Sequence, residues 1–139
     1  MECKVEWMPD SMTFIAKTGT GHIVAMDAPI EAGGDNFAPR PMELLLIGAA
    51  GCSCFDIVSI LKKSRQKILA CNAEVKSQRA EIDPKVFTNI SFHFRVKGNN
   101  LQYDKVENAV RLSHEKYCSA SIMLGKTAKL EYTFEIINI

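Results

Sequence analysis

Five cysteines and three histidines are the residues of this 139-residue chain best suited to chemistry. A thiolate is a nucleophile and a soft metal ligand, so the setting of each cysteine decides its use. Cys52 closes an unusual run: after Pro41 and Glu43, residues 44–52 (LLLIGAAGC) pass without a charge. A lone cysteine in apolar surroundings is most often a small hydrophobe. Glu43, nine residues before Cys52, heads the same run, where a helix dipole stabilises a carboxylate. It reads either as a cap or as a site residue. Cys54 lies two residues from Cys52, about 200° around a helix, so those two thiols diverge. Cys118 follows a helical pattern and precedes SAS, which suits the start of another helix. A helix N-terminus favours thiolate over thiol. His114 stands four residues before Cys118, but a metal held by that pair would need two further ligands. His22 and His93 suit strands, His114 suits a partly exposed helical position, and Cys3 and Cys71 show no metal spacing. No metal site is expected.

The elements that must position these residues follow from periodicity. Residues 3–9 and 12–19 alternate partially, with Pro9 and Asp10 between them, and predict a hairpin; residues 22–27 predict a third strand. Residues 28–41 hold three prolines and the Gly33-Gly34 pair and predict a loop. Pro41 suits the first turn of a helix, where its missing N–H costs nothing, and the helix is expected over residues 41–65. Gly48 and Gly51 each cost about 0.8–1 kcal/mol against alanine there, which close approach of another backbone would offset. The absence of a polar face over residues 44–52 predicts a helix covered all round. One small sheet cannot do that, so a second subunit is expected. Residues 67–82 and 85–98 predict two long strands joined by a turn, with Val86, Ile90, Phe92, Phe94 and Val96 on one face and Thr88 as the exception. Residues 99–118 predict a helix whose stripe is Val106, Ala109, Val110, Ser113 and Tyr117. A short helix at residues 119–124 and a final strand over residues 126–139 complete a βββ-α-ββ-α-β order, an α+β fold in a single domain spanning residues 1–139.

The totals narrow the function. Seventeen basic against sixteen acidic residues leave a formal charge of +1, and no basic block or aromatic-interleaved patch suggests nucleic acid. MECKVEWMPD carries charges where a signal peptide needs an apolar stretch. Residues 44–61 approach the length of a membrane span, but Asp56 interrupts them. A cytoplasmic location and no membrane association are therefore expected. In a reducing compartment five cysteines are core thiols, ligands or redox groups rather than a disulfide framework. No GxGxxG, P-loop, GxSxG or HExxH occurs, and no cofactor is expected.

GGDNFAPRPMELLLIGAAGC followed later by KYCSAS resembles the OsmC/Ohr superfamily, the osmotically inducible and organic hydroperoxide resistance proteins, in its OsmC-like branch. That family's hallmark is a proline eleven residues before a buried reactive cysteine, here Pro41 and Cys52, with a second cysteine after the second long helix, here Cys118. PMELLL and FDIVSILKK carry the likeness further, and it extends over nearly the whole chain. The resemblance implies an intertwined α+β homodimer, with antiparallel sheets around a long buried central helix.

The resemblance also implies a thiol-dependent peroxidase acting on organic hydroperoxides in the response to oxidative stress. Cys52 would attack the peroxide as thiolate and become a sulfenic acid. Cys118 would condense with it to a disulfide, and an external dithiol such as a dihydrolipoyl group would reset the pair. Family members keep the buried thiolate with an arginine from the N-terminal strands, held by the helix-opening glutamate. Glu43 and Arg40 are the residues implied for those roles here. The chain departs from the pattern in three places. No arginine occurs in residues 1–39, Glu43 stands two residues after Pro41 rather than one, and Ser119 replaces the usual proline after the second cysteine. Those departures favour a second reading, a dimeric protein that binds a small apolar or thiol-bearing ligand with little or no peroxidase activity. A structural dimer with incidental thiols is a third.

Overall fold

The alternating N-terminal segments pair as their pattern predicts. In the computed structural model, which describes residues 1–139, β1 (Cys3–Trp7), β2 (Phe14–Thr18) and β3 (Ile23–Met26) form an antiparallel meander. Asp10 takes φ 66° in the first turn and Gly21 φ 88° in the second. The loop after β3 contains a single 3-10 turn, Ile30–Ala32, closed by Gly33 at φ 84°. Buried Asp27 organises that loop by accepting N–H bonds from Ala28, Asp35 and Phe37 at 2.8, 3.1 and 3.2 Å. Burial alone would raise its pKa; these amides outweigh burial and hold the carboxyl below its usual range. The chain divides into two compact units, Met1–Leu45 and Leu46–Ile139, and this meander with its loop and the first turn of α1 make up the first.

Helix α1 runs Pro41–Lys63. It ends where Arg65, at φ 60°, takes the left-handed position, with Gln66 N–H bonded to Leu61 O at 2.9 Å and Arg65 N–H to Lys62 O at 3.0 Å. Those two bonds are a Schellman cap, made here without glycine. Only Ala49, Ser53, Ile57 and Leu61, a strict i, i+4 row, are buried within the chain. The expectation of a helix covered all round is therefore not met inside one chain. Leu45, Ile47 and Phe55 are 48, 59 and 74% exposed. Side chains added at Gly48 or Gly51 would meet open space.

In the second unit β4 (Lys67–Arg79) pairs antiparallel with β5 (Phe87–Asn99), and β6 (Lys129–Asn138) joins β5 in parallel. The second sheet is thus mixed rather than antiparallel, because a long helical crossover returns the chain to the end at which β5 begins, and β6 then pairs on the side of β5 opposite β4. That crossover is α2 (Tyr103–Leu112), one π-helical turn (Ser113–Tyr117) and α3 (Ser119–Leu124). On β5, Ile90, Phe92, Phe94 and Val96 are buried as expected, but Val86 is 40% exposed and Phe87 is buried. The pairing shifts there: Gln78 faces Asn89 while the next residue, Arg79, faces Phe87. Thr88 is the extra residue of a β-bulge, and it reverses the alternation below it. With Ile57 and Leu61 of α1 and Val106 and Val110 of α2, these residues form the unit's core. Each such side chain contributes about 1.5–3 kcal/mol relative to exposure.

Candidate active site: a hydroxyl-lined dithiol

The π turn decides where the second cysteine stands. Cys118 N–H bonds to Ser113 O at 2.7 Å, an i→i+5 closure that fits one extra residue into the turn. The predicted stripe slips accordingly. Val106, Ala109, Val110 and Ser113 are buried, but His114 is buried next and Tyr117 is exposed. His114 therefore does not accompany Cys118. Its ring stacks on Tyr132 with centroids 4.5 Å apart and tilts against Phe92 and Phe94, with neither nitrogen hydrogen-bonded. Burial lowers its pKa to about 4.

Cys118 instead becomes the N-cap of α3, and its sulfur, fully buried, approaches Cys52 of α1. The two sulfurs and the nearest carboxylate oxygen of Asp56 all lie within 4.8 Å of one another. Ser121 Oγ and Ser53 Oγ donate to the Cys118 sulfur at 3.0 and 3.3 Å, and the Ser121 N–H donates at 3.4 Å. Burial pushes this thiol's pKa up, but the two hydroxyls, the amide and the Cys52 S–H together bring it below the ordinary thiol value. Cys52 goes the other way. Burial raises its pKa against one amide, Ala120 N–H, and the neighbouring Cys118 sulfur raises it further. Of the two sulfurs Cys118 is therefore the one whose anion is stabilised, with the Cys52 S–H as one of its donors.

Asp56 lies one turn beyond Cys52 on α1, and burial raises its pKa although Ser113 Oγ donates to it at 3.3 Å. It stands at an open groove of about 530 Å³ lined by Phe55, Ile60, Leu112 and Tyr117. In the sequence Asp56 is only an interruption of an apolar run. Its spacing of four from Cys52 is the signal that marks it, and nothing in the sequence marks Ser53 or Ser121.

Glu43 and Arg40 meet, but through the backbone. Glu43 Oε2 accepts the Arg40 N–H at 2.8 Å, while Glu43 N–H bonds to Arg40 O at 3.0 Å. This is the capping arrangement in which a carboxylate reaches back over the first turn. The Arg40 side chain is exposed. Glu43 therefore closes the helix start rather than gripping a guanidinium. Lys4, one of two cations in the strands that precede the helix, is exposed and bridges to Glu6. A second thiol pair, Cys54 of α1 and Cys71 of β4, is half-buried: Cys71 lowers the Cys54 pKa, and the Cys71 thiol is pushed far up, by Cys54 first and then by burial.

A family model described as OsmC-like protein matches residues 33–133. The chain belongs to the OsmC-like protein family. It is 41% identical over 137 residues to Protein YhfA of Escherichia coli (strain K12), covering 99% of this chain and 98% of that one. A solved structure of a hypothetical protein from Aquifex aeolicus VF5 superposes with TM-score 0.85 at 31% identity, over 99% of this chain and 96% of the other. An organic hydroperoxide resistance protein OsmC from Legionella pneumophila shares the fold, with TM-score 0.68 at 17% identity over 99 and 96% of the two chains. The OsmC-like pattern read from Pro41, Cys52 and Cys118 is thus correct for the family, and the α+β class with it. This member surrounds its thiols with serine hydroxyls and backbone amides.

Proposed function

We propose that this OsmC-like protein is a thiol peroxidase that reduces organic hydroperoxides with Cys52 and Cys118, working as a homodimer in a reducing compartment such as the cytosol. The observation that carries the reading is the shared cluster of the two sulfurs within 4.8 Å, from residues 66 positions apart in the chain. The OsmC-like family includes proteins named for organic hydroperoxide resistance, which supports the same substrate class.

The chemistry follows from the two environments. Cys52 is half-buried and Cys118 fully buried, so Cys52 is the sulfur a peroxide can reach. Transfer of the Cys52 proton to Cys118 gives the attacking thiolate. Its sulfur bonds to the outer peroxide oxygen, the O–O bond breaks, and the alkoxide leaves as alcohol after taking a proton. Asp56, with its raised pKa, is placed to supply that proton and recover it. Cys118 then attacks the sulfenic sulfur and expels water. The sum is two thiols and ROOH giving a disulfide, ROH and water; an external dithiol reverses the disulfide. The groove beside Asp56, with Phe55, Leu112 and Tyr117, suits an apolar substrate tail. The exposed Leu45, Ile47 and Phe55 and the bare faces of Gly48 and Gly51 suit a second copy lying along α1.

Treatment of the reduced protein with an alkyl hydroperoxide is expected to give a Cys52–Cys118 disulfide, read by mass spectrometry of the digest. Absence of that cross-link with both thiols still free would overturn the reading. No cation stands among the groups that act on the two thiols, and that favours the rival, a ligand-binding protein. In that case Cys52→Ser keeps a co-purifying ligand and peroxide leaves the thiols reduced. Size-exclusion chromatography with light scattering tests the dimer, and a monomer at micromolar concentration removes it.

A further inference from the structure

Cys52, Asp56 and Cys118 bring together two sulfurs and one carboxylate oxygen, with all three donor atoms within 4.8 Å of one another. We infer that these three residues form a binding site for one Zn2+ ion when the thiols are reduced. In a tetrahedral site with Zn–S about 2.3 Å and Zn–O about 2.0 Å, neighbouring donors stand roughly 3.5–3.8 Å apart. The present arrangement needs a closure of only about 1 Å, within reach of side-chain rotation. Two of the ligands come from one face of α1 at i and i+4, and the third comes from the junction of the π turn and α3.

The donor set selects the ion. Two thiolates exclude magnesium and calcium, which take oxygen ligands, and the carboxylate favours Zn2+ over Cu+. The surroundings already hold the ligands in place. Ser113 Oγ donates to Asp56 Oδ2 at 3.3 Å, and Ser53 and Ser121 donate to the Cys118 sulfur. Hydrogen bonds of this kind orient ligands and commonly change affinity by about 10–100-fold. Three protein ligands leave the fourth position open, beside the groove that Asp56 lines.

The site uses the sulfurs of the proposed peroxidase but does not depend on that reading, since reduced thiols bind the ion whether or not they ever meet a peroxide. The two states exclude each other: a Cys52–Cys118 disulfide removes two of three donors, and a bound zinc ties up both nucleophiles.

Titrating the reduced protein with Co2+ under anaerobic conditions is expected to give an equimolar complex. Its signature is a thiolate-to-cobalt charge-transfer band with intense tetrahedral bands in the visible, both erased by Zn2+. Cys118→Ser and Cys52→Ser should each weaken the charge-transfer band, and the double variant should lose it. Asp56→Asn should keep the band while weakening affinity at least about tenfold, the scale for losing part of a ligand shell. Protection of Cys52, the more exposed of the two thiols, from alkylation by Zn2+, mapped by mass spectrometry on the unmutated protein, gives the same answer without any variant. A cobalt complex that lacks the sulfur band, or that survives in the double variant, overturns the site, as does zinc that leaves Cys52 unprotected. A protein that forms the disulfide with peroxide yet takes no cobalt sinks the metal site alone. The reverse result sinks the peroxidase alone.

Discussion

Two thiol pairs share helix α1, only two residues apart at their α1 ends, and differ in everything that makes sulfur reactive. Cys52 meets Cys118 among two serine hydroxyls, backbone amides and Asp56. Cys54 meets Cys71 with burial and each other as the forces on their protons. In the first pair, donors other than sulfur stabilise an anion. In the second, one thiol is lowered at the expense of its neighbour. Two cysteines close together are therefore not yet a redox site. What separates the pairs is the supply of hydrogen-bond donors to one sulfur.

The sharpest way to break the comparison is to remove either member of the first pair. Cys52→Ser and Cys118→Ser are each expected to reduce turnover of an alkyl hydroperoxide, measured with a dithiol reductant, to background. Acid attacks both pairs at once, through the fold. His114 has a folded-state pKa of about 4 against 6.5 for a free imidazole, so the unfolded chain binds more protons in that window. Stability is then full above pH 6.5 and falls as pH drops toward 4, by about 3 kcal/mol in all. Denaturant titrations across that range check this, and His114→Phe should flatten the slope. A finer cut is Ser121→Ala, which removes the shortest donor to Cys118. Its thiol pKa should rise, read as a thiolate ultraviolet absorbance that appears at higher pH than in the unmutated protein. The thiolate absorbance lost on Cys118→Ser should titrate below the pH expected of an ordinary thiol, and that lost on Cys71→Ser above it. The smallest effect belongs to Cys54→Ser or Cys71→Ser. Peroxide turnover should stay within about twofold of the unmutated protein, because neither thiol lies among the donors at Cys118.

These contrasts also separate what the sequence discloses from what it hides. Pro41 at the helix start and the unbroken apolar run to Cys52 place the first thiol on a helix, because proline position and residue pattern act locally. SASIML is likewise legible as α3, with Cys118 just before its start; that Cys118 itself caps the helix is not. The alternation of β5 is legible only down to Ile90, since the bulge at Thr88 is a feature of pairing with β4 and leaves no mark in composition. His114 shows the same limit: a 3.6-residue period puts Tyr117 inside, and the π turn puts His114 there instead. Asp56 is visible but misread, as an intruder in an apolar stretch rather than as the neighbour of two sulfurs. Glu43 leaves two meanings open, a cap or a partner for arginine, and the choice depends on which N–H its carboxylate meets.

The widened turn at Ser113–Tyr117 has a bearing on how this chain tolerates change in length. It accommodates one residue more than a regular helix would use, and that residue sets the azimuth at which Cys118 leaves for α3. Deleting a single position inside this turn would let the helix wind regularly and carry Cys118 into the inward place that a regular period gives to residue 117. Such a shortened protein would keep its two sulfurs facing each other, whereas the same deletion in the regular turns of α2 would swing the downstream chain by about 100° and part them.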